Sequence, residues 1–277
     1  MKKKALRILA ACAAFVIIAG LCLFANALVG NPVSKMLASR TAKNHLAEVY
    51  PGTDYQIDHV SYNFKNGNYV AVVKSPSSKD TVFSLSLTML GKLRWDSYED
   101  VTSGFNTAMR LETEYRALVE AVLESPTFPY ESDIDYGTLN IGPAQKDGSS
   151  KYGGEGASPY FIDQSELVLD KVYDIRELGR RAGFVVLYID SDTVSIEKAA
   201  EILLHVKALF DEAGVPFAAI DFVLQYPRPE EGRRPEGDVR VEGFPYEDIR
   251  EDGMTERLEA AHRALQEYYA EQDAKGK

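Results

Sequence analysis

The sequence predicts an α+β protein: one N-terminal membrane helix followed by two small domains. Three observations carry this. Residues 8–25 are an uncharged apolar run. Asn66-Gly67 sits between two strand-like segments, and Asn-Gly tolerates the positive φ of a tight hairpin. Residues 184–226 alternate buried-looking strand, amphipathic helix and strand.

The first element has a basic stub, Lys2, Lys3, Lys4 and Arg7, and then no charge from Ile8 to Ala25. About 18–22 apolar residues at a rise of ~1.5 Å cover most of a hydrocarbon core of ~30 Å. The segment has three readings. One is an uncleaved signal-anchor. Another is a signal peptide cut after Ala25-Asn26-Ala27. The third is a lipoprotein signal ending in Leu9-Ala10-Ala11-Cys12. The lipobox has only about five apolar residues before Cys12, where a signal core runs about 7–15, and the whole run is long for a cleaved signal. The anchor is therefore favoured, with residues 1–30 as stub and helix. The positive cluster predicts a cytoplasmic N-terminus and the bulk of the chain outside the cell.

Residues 31–95 form the first predicted domain. A helix over 32–50, with Val33, Met36, Leu37, Leu46 and Val49 as its apolar stripe, stops at Pro51-Gly52. A three-stranded antiparallel meander follows, over 55–62, 69–74 and 81–89. Residues 96–277 form the second. A long helix from Trp95 to Ser125 carries Val101, Phe105, Ala108, Leu111, Tyr115, Leu118 and Val122 at spacings of three and four. Then come a strand over 134–141, a Gly- and Ser-rich flexible loop over 143–160, and a strand over 166–172. A short helix over 174–181, a strand over 184–190 and a helix over 195–213 capped by Gly214 come next. A strand over 217–226, a charged connection over 227–243 and a C-terminal helix from Met254 complete a mixed α/β sandwich.

Composition narrows the function. The chain has 42 acidic and 31 basic side chains and a net charge of −11. Setting aside the +4 of residues 1–29 leaves −15 on the remainder, which argues against nucleic acid as a partner. Both cysteines, Cys12 and Cys22, fall in the apolar run, so the exported part has no disulfide.

Six segments are distinctive: Gly30-Asn31-Pro32-Val33-Ser34-Lys35, Tyr62-Asn63-Phe64-Lys65, Lys74-Ser75-Pro76-Ser77-Ser78-Lys79-Asp80-Thr81, Ala199-Ala200-Glu201-Ile202-Leu203, Asp211-Glu212-Ala213-Gly214-Val215-Pro216 and Ala219-Ile220-Asp221-Phe222-Val223-Leu224. Together they resemble the YfjL-like proteins of Gram-positive bacteria. The resemblance implies a short transmembrane helix, a small N-terminal domain and a C-terminal α/β domain. It implies no catalytic residues.

Candidate chemistry is sparse. Ser195-Ile196-Glu197-Lys198 fits the Ser-x-x-Lys of penicillin-binding proteins, but Ser-Asp-Asn and Lys-Thr-Gly companions are missing, and a Ser at a helix start is what an N-cap wants. Asp190-Ser191-Asp192 with Glu201 has Val194 and Ser195 where a calcium loop needs a ligand and a glycine. Asp170, Asp190 and Asp221 lie in or at the ends of strands; if the strands are neighbours, the carboxylates could converge on a cation or share a proton. Gly148 to Gly156 lacks the P-loop lysine. His45, His59, His205 and His262 show no metal spacing. Tyr152, Tyr160 and Phe161 are a candidate exposed aromatic patch. No catalytic, cofactor-binding or metal residue is assigned. The expectation is a non-enzymatic module that binds an envelope protein or polymer, anchored in the membrane by its N-terminal helix. The alternative is an envelope hydrolase using the clustered carboxylates.

Overall fold

In the computed structural model, which describes residues 2–144, 159–229 and 231–275, the apolar segment is one helix, α1 (Lys2–Val29). Its best 18-residue stretch has a mean hydropathy of 2.8, and none of that stretch is buried. Ile8, Phe15, Ile17 and Leu21 are all exposed. The helix is long and apolar enough to cross a membrane.

The chain forms two compact units, Met1–Asn106 and Thr107–Lys277. In the first, α2 (Pro32–Val49) starts at Asn31, whose side chain accepts from the Ser34 amide, with Pro32 in the first turn. Ser34, Ala38, Ala42 and Leu46 recur every four residues and form its buried face. Small side chains let the helix lie close on the sheet, over Tyr69, Ala71, Val73, Phe83, Leu85 and Leu87. Of the stripe expected from the sequence, Leu46 is buried and Leu37 half-buried, while Val33, Met36 and Val49 are exposed. Hydrophobicity alone points to the larger residues, while packing distance selects the alanines.

The sheet is an antiparallel meander of four strands, not three: β1 (Gln56–Asn63), β2 (Asn68–Lys74), β3 (Val82–Leu87) and β4 (Leu93–Asp96). Trp95, expected to open a helix, pairs with Ser86 in β4. The expected long helix is in fact two: α3 (Glu99–Thr102) and α4 (Phe105–Leu123), broken at Ser103-Gly104.

The second unit is built on a mixed sheet in the order β10-β9-β8-β5. Its strands are β5 (Ser132–Leu139), β8 (Gly183–Asp190), β9 (Ala219–Gln225) and β10 (Asp238–Pro245). A two-residue parallel bridge joins β6 (Ile141–Gly142) and β7 (Ile162–Asp163). β8 and β9 are parallel and joined by α6 (Ile196–Ala213), while β5 and β10 are antiparallel edges. α4, α5 (Ile175–Ala182), α6 and α7 (Met254–Lys275) supply the other half of the core. Tyr115 of α4, fully buried, donates its hydroxyl to the Pro216 carbonyl. Burial pushes that phenol up.

Two expectations fail here. Residues 166–172 are not a strand: a 3-10 turn at Gln164–Glu166 leads into turns in which Asp170 takes φ 59° and Val168, Leu169 and Val172 stay exposed. The charged connection over 227–243 contains an edge strand, β10, in which Val239 and Val241 point into the core and Asp238 and Glu242 point out.

Candidate functional site

Asp170, Asp190 and Asp221, whose carboxylates could converge if their strands were neighbours, do not cluster. Asp170 lies in the turn just described, on no strand of the sheet. Asp190 ends β8 opposite Gln225, while Asp221 lies opposite Val186, four residues back along the parallel pair. At ~3.3 Å per residue that offsets their backbone positions by ~13 Å along the strands, too far for two short side chains to share a proton or a cation. Asp221 is largely buried, and its Oδ1 accepts from the Gly243 amide at 2.6 Å. Burial raises its carboxyl, the Glu242 charge adds to this, and the Gly243 amide opposes both. Asp190 Oδ1 instead stands 3.4 Å from Arg234, which also pairs with Asp133. Among the described residues, no group of three or more His, Cys, Asp or Glu is placed to hold a metal ion.

The other motifs resolve as structure. Ser195 caps α6, its hydroxyl accepting from the Lys198 amide at 3.2 Å, and the Lys198 ammonium pairs with Glu201. Tyr160 and Phe161 are half-buried, and Tyr160 is raised chiefly by that burial. Tyr152 and the glycines of 148–156 lie outside the described residues.

A better-formed site stands in the first unit. α2 ends at Tyr50, and Pro51-Gly52 turns the chain into β1. This leaves a cleft of about 590 Å³ lined by Lys43, Leu46, Tyr50, Thr53, Tyr55 and Gln56 among others, within the size range of small-ligand sites. Its aromatic wall is fixed from behind. The Tyr50 ring lies 4.7 Å from Tyr98, 5.7 Å from Tyr55 and 5.5 Å from Phe83, all between centroids. Its hydroxyl donates to Asp96 Oδ2 at 2.7 Å, and His45 Nε2 reaches the same oxygen at 2.8 Å. Asp96 Oδ1 accepts from the Tyr98 amide. Tyr55 and Tyr98 hydroxyls meet at 2.9 Å. Burial first, then the Asp96 carboxylate, raises the Tyr50 phenol; burial and Tyr98 push Tyr55 up to about 12. Both tyrosines are therefore neutral hydroxyls across the physiological range. His45 and Tyr50 thus share the Asp96 carboxylate, which fixes the Tyr50 hydroxyl in place. The arrangement can present aromatic faces and hydroxyl groups to a ligand, with Lys43 at its rim.

Sequence reasoning missed this site. His45 and Asp96 are 51 residues apart and on different elements, so no spacing could join them. The local signal available is the density of tyrosines around Pro51-Gly52.

A model of the YfjL-like N-terminal domain matches residues 2–97, and one of the YfjL-like C-terminal domain matches residues 114–259. No curated protein and no solved structure matches the chain. The first match takes in the membrane-length helix and the whole meander, the second the mixed sheet with α5 and α6, and the chain belongs to the YfjL-like family.

Proposed function

We propose that this protein is a single-pass, membrane-anchored binding module. Its N-terminus lies in the cytoplasm, its bulk lies outside the cell, and its partner is an envelope protein or polymer. The observation that carries the binding role is the cleft at the Tyr50 end of α2, where Asp96 holds the Tyr50 hydroxyl and Tyr98 holds that of Tyr55. A pre-ordered aromatic wall loses little side-chain freedom on binding. The exposed apolar α1 supports the anchor, and the acid-free cluster of Lys2, Lys3, Lys4 and Arg7 supports the orientation. The ~13 Å between Asp190 and Asp221 withdraws the support for a carboxylate hydrolase built on them.

The test is cosedimentation of the full chain, in mild detergent, with purified insoluble cell-wall polymer. Tyr55→Ala and Lys43→Glu should each lower the pelleted fraction at least fivefold, since truncating a binding aromatic costs about 1–3 kcal/mol. Wild-type pelleting no greater than that of the two variants contradicts a polymer-binding cleft.

A further inference from the structure

The surface around the joint of α1 and α2 is charged unlike the rest of the chain. Residues 28–106 carry eight basic and seven acidic side chains, whereas residues 107–277 carry nineteen and thirty-five. Within 28–106 the acids are Glu48, Asp54, Asp58, Asp80, Asp96, Glu99 and Asp100, and none falls in 28–47, 59–79 or 81–95.

The fold places those acid-free stretches beside the membrane helix. α2, at 18 residues, is ~27 Å long and β1, at eight, is ~26 Å. The two run in opposite directions. Tyr55, just before β1, packs on Tyr50 at the far end of α2. Tyr62, near the end of β1, donates its hydroxyl to the Ala27 carbonyl of α1 at 3.0 Å. The tip of the β1–β2 hairpin, residues 64–67, therefore comes to the end where α1 leaves the membrane. Tyr69 pairs with Leu87, so the turn between β3 and β4 comes to the same end. A hollow of about 410 Å³ separates the two, lined by Asn66 and Gly67 on one side and by Leu90, Lys92 and Arg94 on the other.

What the tip and the turn expose is unusual for a protein surface. Phe64 is 59 % and Leu90 85 % exposed, each at the apex of its loop. Lys65, Lys92, Arg94 and, on the first turn of α2, Lys35 are exposed beside them. None of these four cations has an acidic partner among the described residues. Apolar apices ringed by unpaired cations are what an interfacial contact with anionic lipid requires.

We infer that this end of the first unit is a second membrane contact, with Phe64 and Leu90 entering the lipid interface and Lys35, Lys65, Lys92 and Arg94 meeting anionic headgroups. The occupant is the leaflet in which α1 is itself anchored. The inference rests on the anchoring proposed above, but not on which side of the membrane the chain faces. The contact fixes the meander against the bilayer and leaves the Tyr50 cleft at the opposite end of α2, ~27 Å away along the helix.

The test uses the full chain with Cys12→Ser and Cys22→Ser, carrying a polarity-sensitive fluorophore at Asn66→Cys or, as the distal control, at Glu48→Cys. Each is reconstituted in vesicles of phosphatidylglycerol and phosphatidylcholine containing lipids spin-labelled near the headgroup. Quenching at 66 should be at least threefold greater than at 48. It should fall toward the level at 48 in pure phosphatidylcholine, and in the triple variant Lys65→Glu, Lys92→Glu, Arg94→Glu. Each cation near an anionic surface contributes about fivefold to the bound population, so three reversals remove the contact. A chain that does not float with the vesicles overturns the anchoring and this contact together. A floating chain whose position 66 is no more quenched than 48 overturns the contact and leaves the anchoring standing. Equal quenching at 66 in charged and neutral vesicles overturns the headgroup recognition.

Discussion

Gly30 is the residue on which the joint between the membrane helix and the first unit turns, and replacing it with alanine tests that joint. Gly30 takes φ +71°. A Cβ there would strike the Tyr69 hydroxyl and the Tyr62 ring. Tyr69 is buried, and its hydroxyl both accepts from the Asn31 amide at 2.7 Å and donates to the Asn31 carbonyl at 2.9 Å. Left-handed backbone costs a non-glycine residue about 1–2 kcal/mol. Displacing the Tyr69 hydroxyl forfeits two hydrogen bonds of about 1 kcal/mol each. Gly30→Ala should thus destabilise the first unit by about 3–4 kcal/mol. Two variants divide that sum. Gly52→Ala, at φ +80° with nothing within 4 Å of its Cβ, should cost the backbone strain alone, about 1–2 kcal/mol. Tyr69→Phe should cost the hydrogen bonds alone, about 2 kcal/mol. The assay is urea unfolding of the full chain in detergent, followed by the fluorescence of Trp95, the only tryptophan and a residue of β4 in this unit. With a urea slope of about 1–3 kcal/mol per molar, the Gly30→Ala midpoint should drop by about 1–4 M. A Gly30→Ala cost no larger than that of Gly52→Ala would refute the close-packed joint.

Other consequences are simpler. Ser195→Ala should lower stability by about 1 kcal/mol through loss of the α6 cap, while Ser195→Asp, which can still cap, should restore it; a catalytic Ser195 would not be rescued that way. Asp221 has a raised native carboxyl, so its native state holds the proton more tightly than the unfolded chain. Its contribution is greatest below the ordinary value of 3.8 and is lost as pH rises through the raised native value. Asp221→Asn keeps an acceptor for the Gly243 amide and should raise the denaturation midpoint at pH 7, with the gap to wild type closing below pH 4; a lowered midpoint at pH 7 contradicts this. Leu111→Ala, in the fully buried stripe of α4, should cost about 2–5 kcal/mol, read by the far-UV circular dichroism midpoint.

The elements legible in the sequence are those whose periodicity and caps agree. α6 lies between Ser195 and Gly214, and β8 and β9 read as buried runs because both faces of a central parallel pair are covered. The failures have physical reasons. Leu93-Arg94-Trp95-Asp96 is too short to show alternation, and Trp95 continues the helical spacing of the residues after it. In β10 the Pro and Gly residues around it hide an alternation of Val239 and Val241 against Asp238, Arg240 and Glu242, the pattern of an edge strand with a wet outer face. In 166–172 the hydrophobic residues are real but face solvent, and Asp170 in the left-handed region breaks any strand. The cleft escapes a sequence reading because its geometry is non-local. Tyr50 and Tyr55 are near neighbours in the chain, but what fixes them, Asp96 and Tyr98, comes from and just after the strand that periodicity does not reveal.

The most direct measurement of the central claim is the placement of Glu48 relative to the bilayer. The chain with Cys12→Ser, Cys22→Ser and Glu48→Cys is expressed in its own membrane, extracted with alkaline carbonate, and labelled in intact cells with a membrane-impermeant maleimide. The protein should stay in the carbonate-washed membrane at full length, and the thiol introduced by Glu48→Cys should label in intact cells as completely as after lysis. Release by carbonate, or labelling only after lysis, would contradict that claim.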